Sequence, residues 1–134
     1  MAEMAAAGNA GKVIAVTGAS RGIGAAIARE LARRGNTVGC LTRKGAGIEG
    51  ATLDATLAER LLNVTCDVND EASVMQAFAT LAHRAGRIDG LVNNAGVHLY
   101  GKSTGFSTAK YEEVMNTNAR SVFVCAREAY PHLA

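Results

Sequence analysis

Apolar runs and helical patterns alternate along this chain from residue 13 to residue 130. The run at 13–17 predicts a buried strand, and apolar residues recurring every four positions predict a helix at 22–34. Similar signals predict strands at 37–41, 62–66 and 88–92, and helices at 53–61, 70–85 and from 108 or 111 to 130. Such β-α-β alternation predicts parallel strands joined by right-handed crossovers, with helices on both faces of the sheet.

The chain has 134 residues, enough for one domain with a substantial core, which we place at 11–134. Residues 1–10 lack the basic start and long apolar stretch of a signal peptide, so we expect a disordered leader there. The segment 44–50 is rich in glycine, and we expect it to be mobile. Hydrophobic residues make up 49% of the chain and few are aromatic, so small aliphatic side chains must fill the interior.

Charge and cysteine content exclude several classes of protein. A net charge of +2 without a basic block argues against a nucleic-acid partner, and no apolar run is long enough to predict a membrane span. Cys40, Cys66 and Cys125 form no Cys-x-x-Cys or Cys/His cluster, so we expect no metal site. We interpret them as buried thiols of a reducing compartment, which predicts a cytoplasmic location.

The most specific local signal is the glycine-rich turn at 17–24, between the first predicted strand and the first predicted helix. Main-chain N–H groups at a helix start have no intrahelical partner, and the helix dipole adds positive charge there, so a pyrophosphate fits. Gly18, Gly22 and Gly24 remove a Cβ at each of their positions. The alternative is an ordinary strand-to-helix turn, because such turns are often rich in glycine.

This turn and a later motif resemble the short-chain dehydrogenase/reductase family, in particular its NADP-dependent carbonyl and 3-oxoacyl reductases. The family's cofactor motif T-G-x-x-x-G-x-G matches 17–24, and its N-N-A-G motif follows the predicted fourth strand at 93–96. The resemblance implies a Rossmann-type α/β fold, a doubly wound parallel sheet of about four strands in the order 3-2-1-4. It also implies a set of cofactor-binding residues: Gly18, Ser20, Arg21, Gly22, Ile23, Gly24, Arg43, Asp67, Val68, Asn94, Ala95 and Gly96.

Basic residues near the glycine turn indicate which dinucleotide the site prefers. The position after the second strand, where an acidic residue would accept the ribose hydroxyls of NAD, holds Thr42 and Arg43. A guanidinium can bind a 2′-phosphate, and Arg21 within the turn is a second cation for the same group. We therefore predict NADP as the cofactor. If Arg43 only stacks on adenine and Arg21 is solvated, the preference stays open.

Two polar residues further along the chain each allow two interpretations. By resemblance Asp67 contacts the adenine ring, but it could instead be an N-cap or turn residue before the helix that begins at Asp70. By resemblance Asn118, in the motif N-x-x-x-x-F, lies in a locally distorted helix where its carbonyl holds a water of the proton relay. We therefore assign it a catalytic role. Its alternative is an asparagine that satisfies its own amide within the helix.

The family's catalytic serine, and its tyrosine followed by lysine four positions later, find no match here. The residues four positions after Tyr100, Tyr111 and Tyr130 are threonine, methionine and alanine. We therefore interpret the chain as the amino-terminal half of an oxidoreductase that reduces a carbonyl or oxidises an alcohol. The alternative is a catalytically inactive dinucleotide-binding or partner-pairing module. Either way, we expect an exposed edge on the fourth strand and an apolar last helix to promote self-association.

Overall fold

The computed structural model describes residues 11–49 and 54–133. The predicted leader at 1–10 and the predicted start of the second helix at Leu53 therefore lie outside the described residues. The described residues follow the predicted β-α-β alternation.

Four parallel strands form one sheet: β1 (Val13–Thr17), β2 (Thr37–Thr42), β3 (Leu61–Thr65) and β4 (Gly90–Val92). Their order is β3-β2-β1-β4, which confirms the predicted order 3-2-1-4. Val16 pairs with Cys40 on one side and with Val92 on the other, so β1 is a central strand. The carboxyl ends of the strands consequently meet at one edge, where ligands of such sheets bind.

In residues 11–49 and 54–133, five α-helices accompany the sheet: α1 (Gly22–Arg33), α2 (Ala55–Arg60), α3 (Glu71–Ala85), α4 (Thr108–Met115) and α5 (Ser121–Ala129). Separate apolar cores lie on the two faces of the sheet. One contains Ala28 and Ala32 of α1 packed against Val16 and Val38. The other contains Phe78 of α3 and Val124 of α5, packed against strand residues such as Ala15, Leu41 and Val64. The two cores confirm a doubly wound sheet.

The predicted single last helix is interrupted by a π segment (Asn116–Arg120) between α4 and α5. The Ser121 hydroxyl donates a hydrogen bond to the Thr117 carbonyl within it. This break bears out the local distortion that the family resemblance implied for the helix of Asn118. Wider turns of this kind occur frequently at functional sites.

The fourth strand begins at Gly90 and not at Ile88, so the predicted boundary is wrong by two residues. Asp89 explains the difference, because its main chain and its side chain both form hydrogen bonds with Val13 at the start of β1. Its N–H donates to the Val13 carbonyl at 2.7 Å, and its Oδ2 accepts from the Val13 N–H at 2.9 Å. Arg87 pairs with the same carboxylate and lowers its pKa.

Within the described residues, β4 pairs with β1 on one side, and at its other side only Ile88 forms an isolated parallel bridge, to Leu133. Apolar side chains are exposed near the end of the chain, among them Met115, Val122, Phe123 and Tyr130. The predicted exposure of the last helix is therefore present. No helix in the described part of the chain is both long and apolar enough to cross a membrane.

Candidate dinucleotide-binding cleft

A cleft of about 480 Å³ opens at the carboxyl edge of the sheet. Its volume lies within the range of small-molecule sites, ~300–1,000 Å³. Nine predicted site residues line it: Gly18, Ser20 and Arg21 from the glycine turn, Arg43 after β2, Asp67 and Val68 after β3, and Asn94, Ala95 and Gly96 after β4. Segments far apart in sequence thus meet around one space.

The glycines of the turn allow neighbouring parts of the protein to approach one another closely, in addition to leaving room for a ligand. Gly18 has a φ of +64°, and a Cβ there would lie 3.0 Å from the Ala95 Cα. A Cβ on Gly24 would lie 2.3 Å from the Gly18 carbonyl oxygen and 2.4 Å from Asn94 Nδ2. Gly24 therefore lets α1 pack against the turn. Its role in making room for a pyrophosphate stays a prediction.

Thr17 and Asn94 join the turn after β1 to the turn after β4. The Thr17 hydroxyl is buried and accepts hydrogen bonds from the N–H groups of Asn94 and Ala95, both at 3.0 Å. In return, Asn94 Nδ2 donates to the carbonyls of Thr17 at 3.2 Å and Gly18 at 3.1 Å. The predicted role of Asn94, fixing this turn through the main chain of neighbouring strands, is confirmed.

The start of α1 faces this region with its main-chain donors free of any side-chain cap. Arg21 occupies the N-cap position in extended conformation, and no side chain accepts from the helix start. Gly22, with a φ of +59°, begins the helix beside the cleft, although it does not line the cleft. Ile23 is 74% exposed and borders a separate apolar groove on α1, so it does not line the cleft. Its contact with the cofactor stays a prediction.

Basic residues surround the end of the cleft near β2. Arg21 and Arg43 line it as predicted, and Lys44 joins them. Among residues 11–49 and 54–133, none of these cations forms an ion pair. Glu49 also lines the cleft, because its N–H donates to the Ser20 carbonyl at 2.7 Å and draws the segment 44–49 towards the glycine turn. The predicted mobility of this segment stays a prediction.

Asp67 lies in the turn between β3 and α3. Its Oδ1 accepts from the Asn69 N–H at 3.0 Å, which makes it a turn residue. The N-cap of α3 is Asp70, whose Oδ1 accepts from the N–H groups of Ala72 and Ser73. The N-cap alternative for Asp67 is therefore wrong, whereas its contact with adenine stays a prediction.

Asn118 projects from the π segment to the loop after β4. Its Oδ1 accepts from the Val97 N–H at 2.7 Å, and its Nδ2 donates to the Val97 carbonyl at 2.8 Å. The alternative in which Asn118 satisfies its amide within its own helix is wrong. Asn118 does not itself line the cleft but holds Val97, which does.

Several lining residues were not predicted as site residues from the sequence, notably Lys44, Glu49, Cys66, Asn69, Val97 and Thr117. Cys66 directly follows β3 and is buried, and burial, with smaller contributions from the neighbouring Cys125 and Asp67, raises the pKa of its thiol to about 12. The thiol therefore stays protonated near neutral pH and adds no charge to the cleft.

The donor set fits a nicotinamide dinucleotide. A parallel sheet in this order, with a glycine turn and an uncapped helix start at its carboxyl edge, is typical of Rossmann-type dinucleotide-binding proteins. The cleft adds three cations that form no ion pair with any described residue, which suit phosphate groups, and it is also lined by Asp67. The fold and cleft thus define the class of a dinucleotide-binding α/β domain.

Comparison with known proteins identifies the family within that class. The short chain dehydrogenase family model matches residues 12–134, so the chain belongs to that family of oxidoreductases. Farnesol dehydrogenase of Aedes aegypti is 40% identical over 127 residues, covering 90% of this chain and 51% of that protein. L-fucose dehydrogenase of Oryctolagus cuniculus is 37% identical over 125 residues, covering 92% and 43%. The chain thus spans about half the length of these relatives.

Solved structures agree with the family. The 3-ketoacyl-(acyl-carrier-protein) reductase from Brucella melitensis, complexed with NADH, has a TM-score of 0.83 and 30% identity; the match covers 92% of this chain and 51% of that one. The NADH-dependent reductase A1-R′, complexed with NAD, has a TM-score of 0.80 and 30% identity, covering 95% and 54%. The matched region therefore has the fold that holds a nicotinamide dinucleotide in these relatives.

Proposed function

We propose that this chain is the NADP(H)-binding part of an oxidoreductase that acts on a carbonyl or an alcohol. The observation that carries the NADP preference is the group of unpaired cations, Arg21, Arg43 and Lys44, at one end of the cleft. Leaving cations unpaired in a concave site favours a dianionic group such as a 2′-phosphate. The proposed domain comprises residues 11–134.

Each end of the cleft has a proposed role. The uncapped start of α1, next to Gly18 and Ser20, binds the pyrophosphate, because main-chain N–H groups and the helix dipole both favour an anion. Asp67 accepts a hydrogen bond from the adenine amino group, with Val68 alongside. At the other end Asn118 orients Val97. A Cβ on residue 96 would lie 3.2 Å from Asn118 Oδ1, and Gly96 avoids this close contact.

The reaction itself requires more than this part of the molecule shows. The bound dinucleotide supplies the hydride donor or acceptor. For Asn118 we propose the role implied by the family, in which its main-chain carbonyl within the π segment holds a water of the proton relay. No tyrosine of the chain is followed by lysine four positions later, so that relay has no terminal acid among these residues. Sequencing the transcript beyond codon 134 tests whether a tyrosine-lysine pair follows.

NAD is the second candidate cofactor, and Glu49 is the observation that favours it. Glu49 lines the same cleft as the cations, and a carboxylate there would repel a 2′-phosphate and accept ribose hydroxyl groups. The solved relatives described as complexed with NADH or NAD also favour it.

Nucleotide titrations of the purified chain distinguish the two cofactors. We expect Arg43→Asp to weaken NADPH binding by about tenfold to a hundredfold, the value of a lost hydrogen bond to a charged group, while NADH binding stays unchanged. Arg21→Ala and Lys44→Gln should each cause a smaller loss in the same direction. Lys110→Asp, on exposed α4, is the matched charge control. An unchanged ratio of NADPH to NADH affinity in all three variants would exclude the 2′-phosphate role.

A partner-pairing module is the alternative from another class. Its support is the exposed apolar surface of α5 and the following turn, where Phe123 is 63% and Tyr130 is 77% exposed, together with the side of β4 on which no described strand pairs with it. Sedimentation of the chain with and without Phe123→Ser tests it, since self-association through this surface should fall with the substitution.

We also propose a cytoplasmic location, supported by the buried free thiols Cys40, Cys66 and Cys125.

A further inference from the structure

A pair of polar side chains, so far without a role, joins two walls of the cleft. Asn69 lies after β3, and Thr117 lies 48 residues later in the π segment. The Thr117 side chain is buried, and its hydroxyl oxygen lies 2.9 Å from Asn69 Nδ2 and 3.3 Å from Asn69 Oδ1. Both residues line the cleft. Their contact therefore ties the turn before α3 to the helix that follows β4.

The Asn69 side of the contact is fixed by its own turn. The Asn69 N–H donates to Asp67 Oδ1 at 3.0 Å, and the Asp67 N–H donates to the Ser73 hydroxyl at 2.9 Å. Asn69 thereby holds the Asp67 carboxylate, the group proposed to meet adenine. Any movement of Asn69 must move this end of the cleft.

The Thr117 side of the contact leads to the other end. Thr117 is held in the π segment by the Ser121 hydroxyl, which donates to its carbonyl. The next residue, Asn118, makes both of its amide hydrogen bonds to the main chain of Val97. A change in the π segment must therefore change the position of Val97.

We propose that Asn69 and Thr117 form a positioning pair that sets the Asp67 end of the cleft relative to the Val97 end. The inference rests on the proposed function, because a dinucleotide that spans the cleft can bind only if the two ends are correctly positioned relative to each other. Neither residue acts on the reacting atoms. The pair instead preorganises the cleft, so that an extended ligand does not lose binding free energy in aligning its walls.

The test compares a ligand that spans the cleft with one that occupies a single end. Thr117→Val keeps the side-chain shape and removes the hydroxyl, and Asn69→Ala removes the same bond from an exposed residue. We expect both to raise the dissociation constant of NADP⁺ by roughly threefold to tenfold, the value of one hydrogen bond. Adenosine 2′,5′-bisphosphate, which lacks the nicotinamide half, should lose less than about twofold. Hydrogen exchange of the Val97 amide should accelerate in both variants.

Two further variants make the result specific. Thr117→Ser retains the hydroxyl and should restore both the NADP⁺ affinity and the Val97 protection. Thr80→Val is the matched control, because it removes a hydroxyl from a similar amide-hydroxyl contact, 3.5 Å from Gln76 Nε2 on the exposed side of α3. It should change neither measurement.

Equal losses for both nucleotides, with unchanged Val97 exchange, would overturn the proposal and leave Thr117 as a lining residue. If the unsubstituted chain binds neither nucleotide, the proposed function fails by itself. Val97 exchange in Asn69→Ala and Thr117→Val then decides the pair alone, and unchanged exchange in both overturns it.

Discussion

The starts of α1 and α3 occupy equivalent places in the fold but are built differently. Each helix follows the carboxyl end of a strand of the same sheet, β1 for α1 and β3 for α3. At α3 the chain supplies its own acceptor, since Asp70 Oδ1 lies 3.0 Å from the Ala72 N–H and 3.3 Å from the Ser73 N–H. At α1 the N-cap is Arg21, which supplies a positive charge and no acceptor.

The difference separates a structural helix start from a binding one. Main-chain N–H groups at the first turn of a helix need partners, and a side-chain carboxylate is the usual one. At the start of α1 glycines and a cation stand where such a carboxylate would be. The main-chain N–H groups of that helix start can therefore bind an anionic ligand. The three substitutions below test this separation, beginning with the largest expected effect.

Gly24→Val in the first turn of α1 should be the most damaging change. The added Cβ would lie 2.3 Å from the Gly18 carbonyl oxygen, a main-chain atom that can move only with the whole turn. Overpacking of this kind lowers the free energy of unfolding by about 1–3 kcal/mol or more. Urea denaturation measures it, and dinucleotide binding should be lost together with stability.

Ala72→Val is the control for that change, because it places a valine in the exposed first turn of α3, where a Cβ is already present and only two methyl groups are added. It should cost only a few tenths of a kcal/mol, the helix propensity difference of a β-branched residue. Equal destabilisation by the two variants would show that the α1 start is no more tightly packed than the α3 start.

Thr17→Val, at the last residue of β1, should have the next largest effect. The substitution leaves the N–H groups of Asn94 and Ala95 without the hydroxyl that accepts from both. Burial of donors without a partner lowers the free energy of unfolding by about 1–3 kcal/mol. Thermal or urea denaturation measures the loss. Thr65→Val at the exposed end of β3 is the control and should change stability little; a matching loss there would contradict the distinction between the two strand ends.

Asp70→Ala should have the smallest effect and the most informative one. Loss of an N-cap carboxylate costs about 1 kcal/mol of unfolding free energy. Denaturation should detect that cost, whereas titration with NADPH should show no change, because Asp70 does not line the cleft. A weakened affinity for NADPH would mean that both helix starts serve the ligand, and the separation proposed here would fail.

Sequence patterns predicted what depends on neighbours along the chain. The strand-turn-helix around Gly18 follows from local periodicity, and the burial of the cysteines from their sequence contexts. The order of the strands was implied by the family resemblance. The turn role of Asp67 was also among the sequence alternatives. In each case the deciding contacts lie within a few residues or within a common fold rule.

The sequence was less informative where the deciding contact joins distant segments. The contact between Asn69 and Thr117 spans 48 residues, and neither residue belongs to a pattern that marks it in advance. Glu49 is held at the cleft by the hydrogen bond that its N–H donates to the carbonyl of Ser20, 29 positions earlier in the chain. Sequence reasoning also did not reveal that a Cβ on Gly24 would meet the main-chain carbonyl of Gly18 in its own turn.

The junction between Thr17 and Asn94 also has a consequence for biosynthesis. The two residues are separated by 77 positions, and translation at ~5–20 residues per second therefore needs about 4–15 s to pass from one to the other. During that interval a nascent chain can pair β1 with β2, but it has no Asn94 amide to seat against the Gly18 carbonyl. We expect the cleft to mature only after β4 and the turn that follows it have been synthesised, so that nucleotide capture reports synthesis beyond Asn94.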